Sequence, residues 1–275
     1  MMQANFNEVS PAKLNLFLKI INKREDGYHD IRSGITLINL FDEISAERSS
    51  KFKIKYIGKF APPNNVFADC IVEKIFSKFN LVKPNYFFTI KKNIPVQSGL
   101  GSASSNAAAV IRILKKLDYK EIKTINFSEI GTDVPLFVKN QDSLVRGIGE
   151  ITTKQLFPKY YFLLIKPMQH CSTVEMYNQV NIDNINFETN YDTDKITEYD
   201  TGNDFESIAE NKYTEISLLL KFMKSFPEVI FSRLTGSGSC IYSTFETKNS
   251  AERAFLIFKD RFPEHWSSVV ENNFL

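Results

Sequence analysis

The sequence has few of the residues that build disulfide frameworks and metal cages. Its 275 residues include three cysteines, three histidines and one tryptophan. The cysteines are Cys70, Cys171 and Cys240, and because they are far apart and odd in number we expect free thiols in a reducing compartment. The histidines show no metal-ligand spacing, so we expect no metal site built by the protein itself.

An excess of one charge and long apolar runs are also missing. The formal net charge is +2, from 34 basic and 32 acidic residues, so a nucleic-acid partner is not expected. The basic pairs Lys91-Lys92 and Lys115-Lys116 are interpreted as solvated surface. No stretch approaches the roughly 18 apolar residues of a membrane span, and residues 1–10 lack the pattern of a secretory signal. We therefore expect a cytoplasmic protein with no membrane partner.

The remaining composition, 43% hydrophobic and 24% charged, is typical of a globular chain with a large core. Period two in residues 12–20 predicts a half-buried strand. A helix is predicted over residues 66–79, and a polar, acidic surface segment over 181–200. Further strands are predicted over residues 35–40, 52–57, 87–91 and 161–165, with a hairpin over 143–153. Because strands and helices alternate irregularly, the expected class is α+β rather than a doubly wound parallel sheet.

The sharpest feature is a segment rich in glycine and serine, residues 99–105. Together with the preceding residues 95–98 it is called here the first loop. Gly99 and Gly101 permit close backbone approach, and a helix follows at once, with Ala107 and Val110 on its buried face. The helix N-terminus adds unpaired N–H groups and a positive dipole end, so the loop is suited to a di- or triphosphate. It is neither a Walker A loop nor a dinucleotide fingerprint. The alternative is a flexible glycine turn with a serine cap.

Three other features carry weaker signals. Residues 236–239, called here the second loop, lie between two apolar strands and form either a tight hairpin turn or a partner that packs against the first loop. Lys13 lies in an apolar strand next to Asn15. It is either an edge lysine whose side chain reaches solvent or a functional group. Asp133 precedes an apolar run. It is either the N-cap of a helix or a catalytic base. A lysine and a carboxylate brought together would serve a hydroxyl nucleophile.

Residues 10–16, 95–106 and 234–240 together resemble the three motifs of the GHMP kinases. The resemblance implies a two-lobed α+β fold, with an N-terminal lobe similar to domain 2 of ribosomal protein S5 and a ferredoxin-like C-terminal lobe. We place ATP on the lobe of residues 1–155, the second lobe at 156–275, and the substrate in the cleft. The implied ATP contacts are Asn65, Pro95, Val96, Gln97, Ser98, Gly99, Leu100, Gly101, Ser102, Ala103, Ser104 and Ser105.

Residues 24–29, 131–137 and 147–150 are similar to the branch of this family that acts on a methylerythritol linked to cytidine diphosphate, in the non-mevalonate route to isoprenoid precursors. There ATP phosphorylates the 2-hydroxyl, and ADP leaves. The resemblance assigns Asp133 as general base and Lys13 as its electrostatic partner, and it implies Mg²⁺ carried by the nucleotide. The implied substrate contacts are Asn15, Tyr28, His29, Thr173 and Tyr177, with the cytosine stacked between Tyr28 and Tyr177 and hydrogen-bonded by His29.

The sequence also departs from the family pattern. The family loop runs Gly-Leu-Gly-Gly-Gly-Ser-Ser, and Ser102 and Ala103 replace two of those glycines. Both replacements are small, so we expect a stiffer loop that still admits phosphate. The alternatives are another GHMP kinase, of the homoserine or mevalonate type, or a nucleotide sensor without catalysis. As partners we expect only the two small molecules, with the protein a monomer or weak dimer.

Overall fold

The computed structural model describes residues 5–63, 70–181 and 202–273. Its ten strands and seven α-helices alternate irregularly, which confirms the α+β class. The strands are β1 Phe6–Lys23, β2 His29–Arg48, β3 Lys53–Ile57, β4 Tyr86–Lys91, β5 Ser143–Arg146, β6 Ile151–Lys154, β7 Tyr161–Lys166, β8 Phe231–Leu234, β9 Ile241–Phe245 and β10 Trp266–Glu271. The helices are α1 Ile71–Lys78, α2 Ser102–Lys116, α3 Val134–Lys139, α4 Thr173–Asn178, α5 Phe205–Lys212, α6 Thr214–Lys224 and α7 Lys248–Arg261.

The chain folds into two compact units that interleave along the sequence. The first comprises Met1–Ala12, Leu40–Val96 and Gly101–Gln141, and the second comprises Lys13–Asn39, Gln97–Leu100 and Asp142–Leu275. Strands β1 and β2, which pair with each other, each contribute to both units. The sequence division at residue 155 therefore stays a prediction about lobes.

In the first unit, β3 pairs in parallel with β4, and β4 pairs antiparallel with the C-terminal half of β2, with Lys91 opposite Glu43. Helices α1 and α2 contribute buried apolar faces to the core of this unit. In α2, Ala107, Val110 and Leu114 are fully buried, because they recur at the helical period. The short helix α3 packs on α2. The core of the first unit therefore supports α2, the helix that follows the first loop.

In the second unit, four antiparallel strands form a sheet in the order β10-β7-β9-β8. Strand β8 pairs with β9, with Leu234 opposite Ile241, so the second loop joins two strands directly, as the sequence predicts. The N-terminal half of β2 pairs with β5, and β5 and β6 form the predicted hairpin. Helices α5, α6 and α7 cover a core that includes Phe205, Leu220 and Phe258.

Several predicted bounds change. The strand predicted over residues 12–20 runs from Phe6 to Lys23, and the expectation that it is half-buried is wrong, because residues 10–18 are buried on both faces. Helix α1 begins at Ile71, later than predicted, because the Cys70 backbone is extended, and residues 64–69 lie outside the described ranges. The predicted acidic segment also lies outside them from residue 182 onward. Lys115 and Lys116 are exposed, but the interpretation of Lys92 as solvated is wrong, because it is 3% exposed.

Candidate active site

Part of the first loop, Gln97–Leu100, belongs to the second unit and packs against the second loop. The φ angle of Gly99 is +74°, and a Cβ atom at this position would lie 2.3 Å from the Thr235 carbonyl oxygen. The Cys240 N–H donates to the Ser98 carbonyl at 3.1 Å. The contact between the two loops, predicted as one of two alternatives, is therefore confirmed. It requires glycine at residue 99, because a side chain would occupy the space of a backbone carbonyl.

Lys13 and Asn15 lie in the same unit, beside the second loop. The Lys13 ammonium donates to the Asn15 side-chain carbonyl, and the Asn15 N–H donates to Thr235 Oγ1 at 3.1 Å. A Cβ atom on Gly236 would lie 3.3 Å from Lys13 Nζ and 3.5 Å from the Gly99 carbonyl oxygen. Lys13 is 4% exposed, so the alternative of an edge lysine that reaches solvent is wrong. Residues from three sequence motifs thus meet in one place.

The last part of the first loop lies in the first unit and forms the start of α2. Gly101 occupies the N-cap position with φ 75° and provides no side-chain cap, and the first turn contains no acidic residue. The N–H groups of this turn have no helical acceptors, so they are available to an anion. Ala103 is exposed and Ser104 half-exposed. This end of α2 has the features of a phosphate site.

Ser105 is fully buried, and its hydroxyl has no hydrogen-bond partner among the residues that the structure describes. An unsatisfied buried hydroxyl is costly, which favours a ligand oxygen or ion as its partner. The hydroxyl of Ser104 lies 3.4 Å from the Cβ position of Gly131. The start of α2 therefore lies next to the segment that carries Asp133.

Asp133 occupies the N-cap position of α3, but its side chain makes no capping hydrogen bond. The capping alternative from the sequence is thus not supported, and the half-exposed carboxylate can act as a base. Asp133 belongs to the first unit and Lys13 to the second. Their direct pairing stays a prediction.

The residues expected to bind the cytidine lie in the second unit. Tyr28 is 57% exposed and is the residue immediately before β2. The His29 ring lies 5.1 Å from the Tyr177 ring at an interplanar angle of 31°. The expected sandwich of Tyr28, cytosine and Tyr177 stays a prediction. The rings of both His29 and Phe205 lie against Tyr177, the latter edge-on at 4.8 Å.

The ring of His29 is buried, and its surroundings favour the uncharged form. Burial, with Lys23 as a second cause, lowers the pKa of His29, so the imidazole is uncharged at neutral pH. Its buried Nε2 atom has no hydrogen-bond partner among the described residues. Thr173 Oγ1 lies 2.9 Å from the hydroxyl of Ser237, which joins α4 to the second loop.

Other expected ATP contacts vary in exposure. Val96 and Gln97 are exposed, whereas Pro95, Ser98 and Leu100 are buried. Asn65 lies outside the described residues. The Ser102 hydroxyl donates to Asp42 at 2.7 Å and also accepts from Lys92.

Sequence reasoning misses the residue that holds the second loop. Asn203 is buried, and its side-chain amide donates to the carbonyls of Leu234 at 2.8 Å and Gly236 at 2.9 Å. Its Oδ1 atom accepts the Phe205 N–H at 3.0 Å at the start of α5. The available signal is an Asn-Asp pair before an amphipathic helix, which usually indicates only a cap. A cysteine also supports this loop, because Cys171 Sγ lies 3.0 Å from the Cβ position of Gly238.

Comparison with known families agrees with this geometry. Residues 65–139 match the family described as GHMP kinases N terminal domain, and residues 193–264 match GHMP kinases C terminal. The fold and its two small-residue loops are therefore those of a small-molecule kinase of the GHMP class. Its sequence relatives narrow the class further: the chain belongs to the 4-diphosphocytidyl-2-C-methyl-D-erythritol kinase family.

The chain is 33% identical over 252 residues to the 4-diphosphocytidyl-2-C-methyl-D-erythritol kinase of Francisella tularensis subsp. tularensis, with 89% of each chain covered. It is 31% identical over 262 residues to the kinase of the same name from Buchnera aphidicola subsp. Acyrthosiphon pisum, with 90% of each chain covered. It shares its fold with a crystal structure of 4-(cytidine 5'-diphospho)-2C-methyl-D-erythritol kinase, at a TM-score of 0.74 and 22% identity, over 96% of this chain and 99% of that one.

Within residues 5–63, 70–181 and 202–273, no helix has both the length and the apolarity needed to cross a bilayer. The same ranges contain no group of three or more His, Cys, Asp or Glu side chains that could hold a metal ion together.

Proposed function

We propose that this protein transfers the γ-phosphoryl group of ATP to the 2-hydroxyl of 4-diphosphocytidyl-2-C-methyl-D-erythritol, giving the 2-phosphate and ADP. The observation that carries the proposal is the cluster in which Lys13, Asn15, Gly99 and Gly236 meet. The choice of substrate rests on family membership, since the curated relatives are named as kinases of this compound. The relatives give no support to a homoserine or mevalonate substrate, or to a sensor without catalysis.

In the proposed reaction, Asp133 accepts the proton of the 2-hydroxyl as its oxygen attacks the γ-phosphorus. The bond from the γ-phosphorus to the β,γ-bridging oxygen breaks, and ADP leaves with the electron pair. The Lys13 ammonium stabilises the negative charge that develops. The Asn15 amide oxygen, which accepts from Lys13, orients that ammonium. The N–H groups at the start of α2 would hold the triphosphate.

Mg²⁺ would enter with the nucleotide and neutralise phosphate charge. The orphaned hydroxyl of Ser105 fits such an ion, because it would supply an oxygen ligand of the kind that Mg²⁺ prefers. On the acceptor side, the neutral His29 would hydrogen-bond the cytosine edge, while Tyr28 and Tyr177 supply aromatic faces. Thr173 would contact the ribose or diphosphate.

We further propose a two-lobed protein divided near residue 155 that works in the cytoplasm as a monomer or weak dimer. The ATP contacts proposed at Asn65 and across the first loop belong to the same assignment.

The decisive test is a coupled assay of ADP release with the cytidyl substrate. Asp133→Asn should lower kcat by about 10²–10⁴-fold, because the side chain can no longer accept a proton. The matched control is Asp260→Asn on α7, an exposed aspartate, which should leave kcat unchanged. If the native protein turns over no faster than Asp133→Asn, it is not this kinase.

The acceptor assignment has its own test. CMP should bind the protein and compete with the cytidyl substrate, whereas UMP, which lacks the exocyclic amine, should bind more weakly. No detectable CMP binding by calorimetry would refute the cytidine site while leaving the kinase assignment intact.

A further inference from the structure

A fully buried carboxylate lies beneath the first loop and accepts four hydrogen bonds. Asp42 Oδ1 accepts the N–H groups of Asn93 at 2.7 Å and Ile94 at 2.9 Å. Asp42 Oδ2 accepts the hydroxyl of Ser102 at 2.7 Å and the ammonium of Lys92. A carboxylate can accept about four hydrogen bonds, so the hydrogen-bonding capacity of the Asp42 carboxylate is fully used.

These partners lie on both sides of the first loop. Asn93 and Ile94 lead into it, and Ser102 is the first residue of α2. One side chain of β2 therefore fixes the point where the loop begins and the point where the helix starts. Such a double attachment restricts the loop conformations available before a ligand arrives, which lowers the entropic cost of binding.

The ion pair in this cluster is unlike the pair formed by the adjacent residues Glu43 and Lys91. Lys92 and Asp42 have side chains that are 3% and 0% exposed, whereas those of Lys91 and Glu43 are 46% and 54% exposed. Burial lowers the pKa of Lys92, while the Asp42 carboxylate opposes that shift. A buried ion pair contributes little net stability because of its desolvation cost, and fixing a geometry is one use of such pairs.

We infer that Asp42, Lys92 and Ser102, called here the Asp42 cluster, position the first loop for nucleotide binding, and that the Ser102 hydroxyl acts through Asp42 instead of contacting phosphate. Ser102 stands where the family resemblance places a glycine, which has no hydroxyl to offer. In this chain the serine adds a side-chain attachment at the start of α2. The backbone N–H of Ser102 remains available to a phosphate. The inference rests on the proposed binding of ATP at the first loop.

The test measures ATP affinity by calorimetry without the acceptor, and CMP affinity as an internal reference. Ser102→Ala should weaken ATP binding about 3–10-fold, because one charge-assisted hydrogen bond that orders the loop is lost. CMP binding should not change. Glu43→Gln and Lys91→Met, in the adjacent exposed pair, should leave ATP binding unchanged.

A double-mutant cycle separates positioning from direct contact. If Ser102 acts through Asp42, then Ser102→Ala should add nothing to the loss of ATP affinity already caused by Asp42→Asn. Additive losses would overturn the inference, since they are expected when the Ser102 hydroxyl binds phosphate directly.

Hydrogen exchange of the amides of residues 93–102 gives a readout that needs neither ATP nor a stable Asp42→Asn protein. Ser102→Ala should speed exchange of these amides at least about threefold relative to Lys91→Met, and unchanged exchange would overturn the inference. A native protein that binds no ATP would instead refute the proposed nucleotide site, and the exchange data would still decide whether the Asp42 cluster orders the loop.

Discussion

The first and second loops have similar compositions, but their polar groups do different things. At the start of α2 the first loop offers N–H groups without helical acceptors and a buried Ser105 hydroxyl with no partner among the described residues. In the second loop, the Gly236 carbonyl accepts from Asn203, and the Ser237 hydroxyl pairs with Thr173. The second loop thus uses the Gly236 carbonyl and the Ser237 hydroxyl to bind the protein, which is typical of a support, although its buried Ser239 hydroxyl also has no partner among the described residues. The first loop differs in that it also keeps helix N-terminal N–H groups available for a ligand.

Gly99→Ala is expected to have the largest effect on this arrangement. The new methyl group would lie 2.3 Å from the Thr235 carbonyl oxygen, at a φ of +74°. We expect a loss of about 2–4 kcal/mol in the free energy of unfolding, because both the clash and the left-handed backbone are penalised. ATP affinity should fall at least about 30-fold.

The matched control is Gly202→Ala, which also has a positive φ, of +63°, but among the described residues no atom within 4 Å of the Cβ position. It should cost only the backbone penalty, about 1 kcal/mol. Equal denaturant midpoints for the two variants would show that the loops do not constrain each other.

Gly236→Ala should affect turnover more than stability. Its Cβ would lie 3.3 Å from Lys13 Nζ, the end of a flexible side chain that can move aside. Because the move displaces the ammonium proposed to stabilise the transition state, we expect kcat to fall about 10–100-fold, with an unchanged Kd for CMP. If the variant kept the native kcat, Lys13 would not take part in the reaction as proposed.

Asn203→Ala should weaken the second loop without touching the first directly. It leaves two carbonyls without their donors, so we expect a loss of about 2 kcal/mol, or about 4–8 °C in Tm. Asn203→Asp keeps the acceptor for the Phe205 N–H but loses the amide donors, and should be at least as destabilised. A Tm within 1 °C of native for either variant would exclude Asn203 as the support of this loop.

The smallest expected effect is a pH dependence centred on Glu206, which accepts the Leu234 N–H at 3.2 Å, just before the second loop. Burial raises the pKa of Glu206 to about 7. The folded protein then holds a proton that the unfolded chain releases near pH 4.5, so this contribution to stability is full below about pH 4.5, falls as pH rises towards 7, and is lost above it.

Between pH 6 and 8 the loss should be about 1 kcal/mol, measured by urea unfolding at each pH. Glu206→Gln should abolish this slope while keeping an acceptor for the Leu234 N–H. A slope that persists in Glu206→Gln would assign the titration to another group.

The sequence predicts the elements whose cause is local. Alternation in residues 12–20 and the helical period after residue 105 are read directly from neighbouring side chains, and β1 and α2 lie there. The meeting of Lys13, Gly99 and Gly236 depends instead on the family resemblance, because no local pattern relates three segments so far apart.

The supports of the site are not predictable in this way. Lys91-Lys92 and Asp42-Glu43 each look like two neighbouring surface charges. Only the alternation of side chains along β2, and from the last residue of β4 to the residue after it, puts one of each pair inside and the other outside. Asn203 looks like an ordinary helix cap, because the carbonyls that it binds are 31 and 33 residues further along the chain.

The cysteine that packs beneath the second loop has a chemical consequence. Burial raises the pKa of Cys171 to about 11 and that of Cys240, which follows the loop, to about 12. Both sulfurs therefore remain protonated at neutral pH, and a thiol is a poor nucleophile compared with its thiolate. The thiols of Cys171 and Cys240 should therefore resist alkylating agents and mild oxidants. An electrophilic inhibitor aimed at the site would need a target other than these two sulfurs.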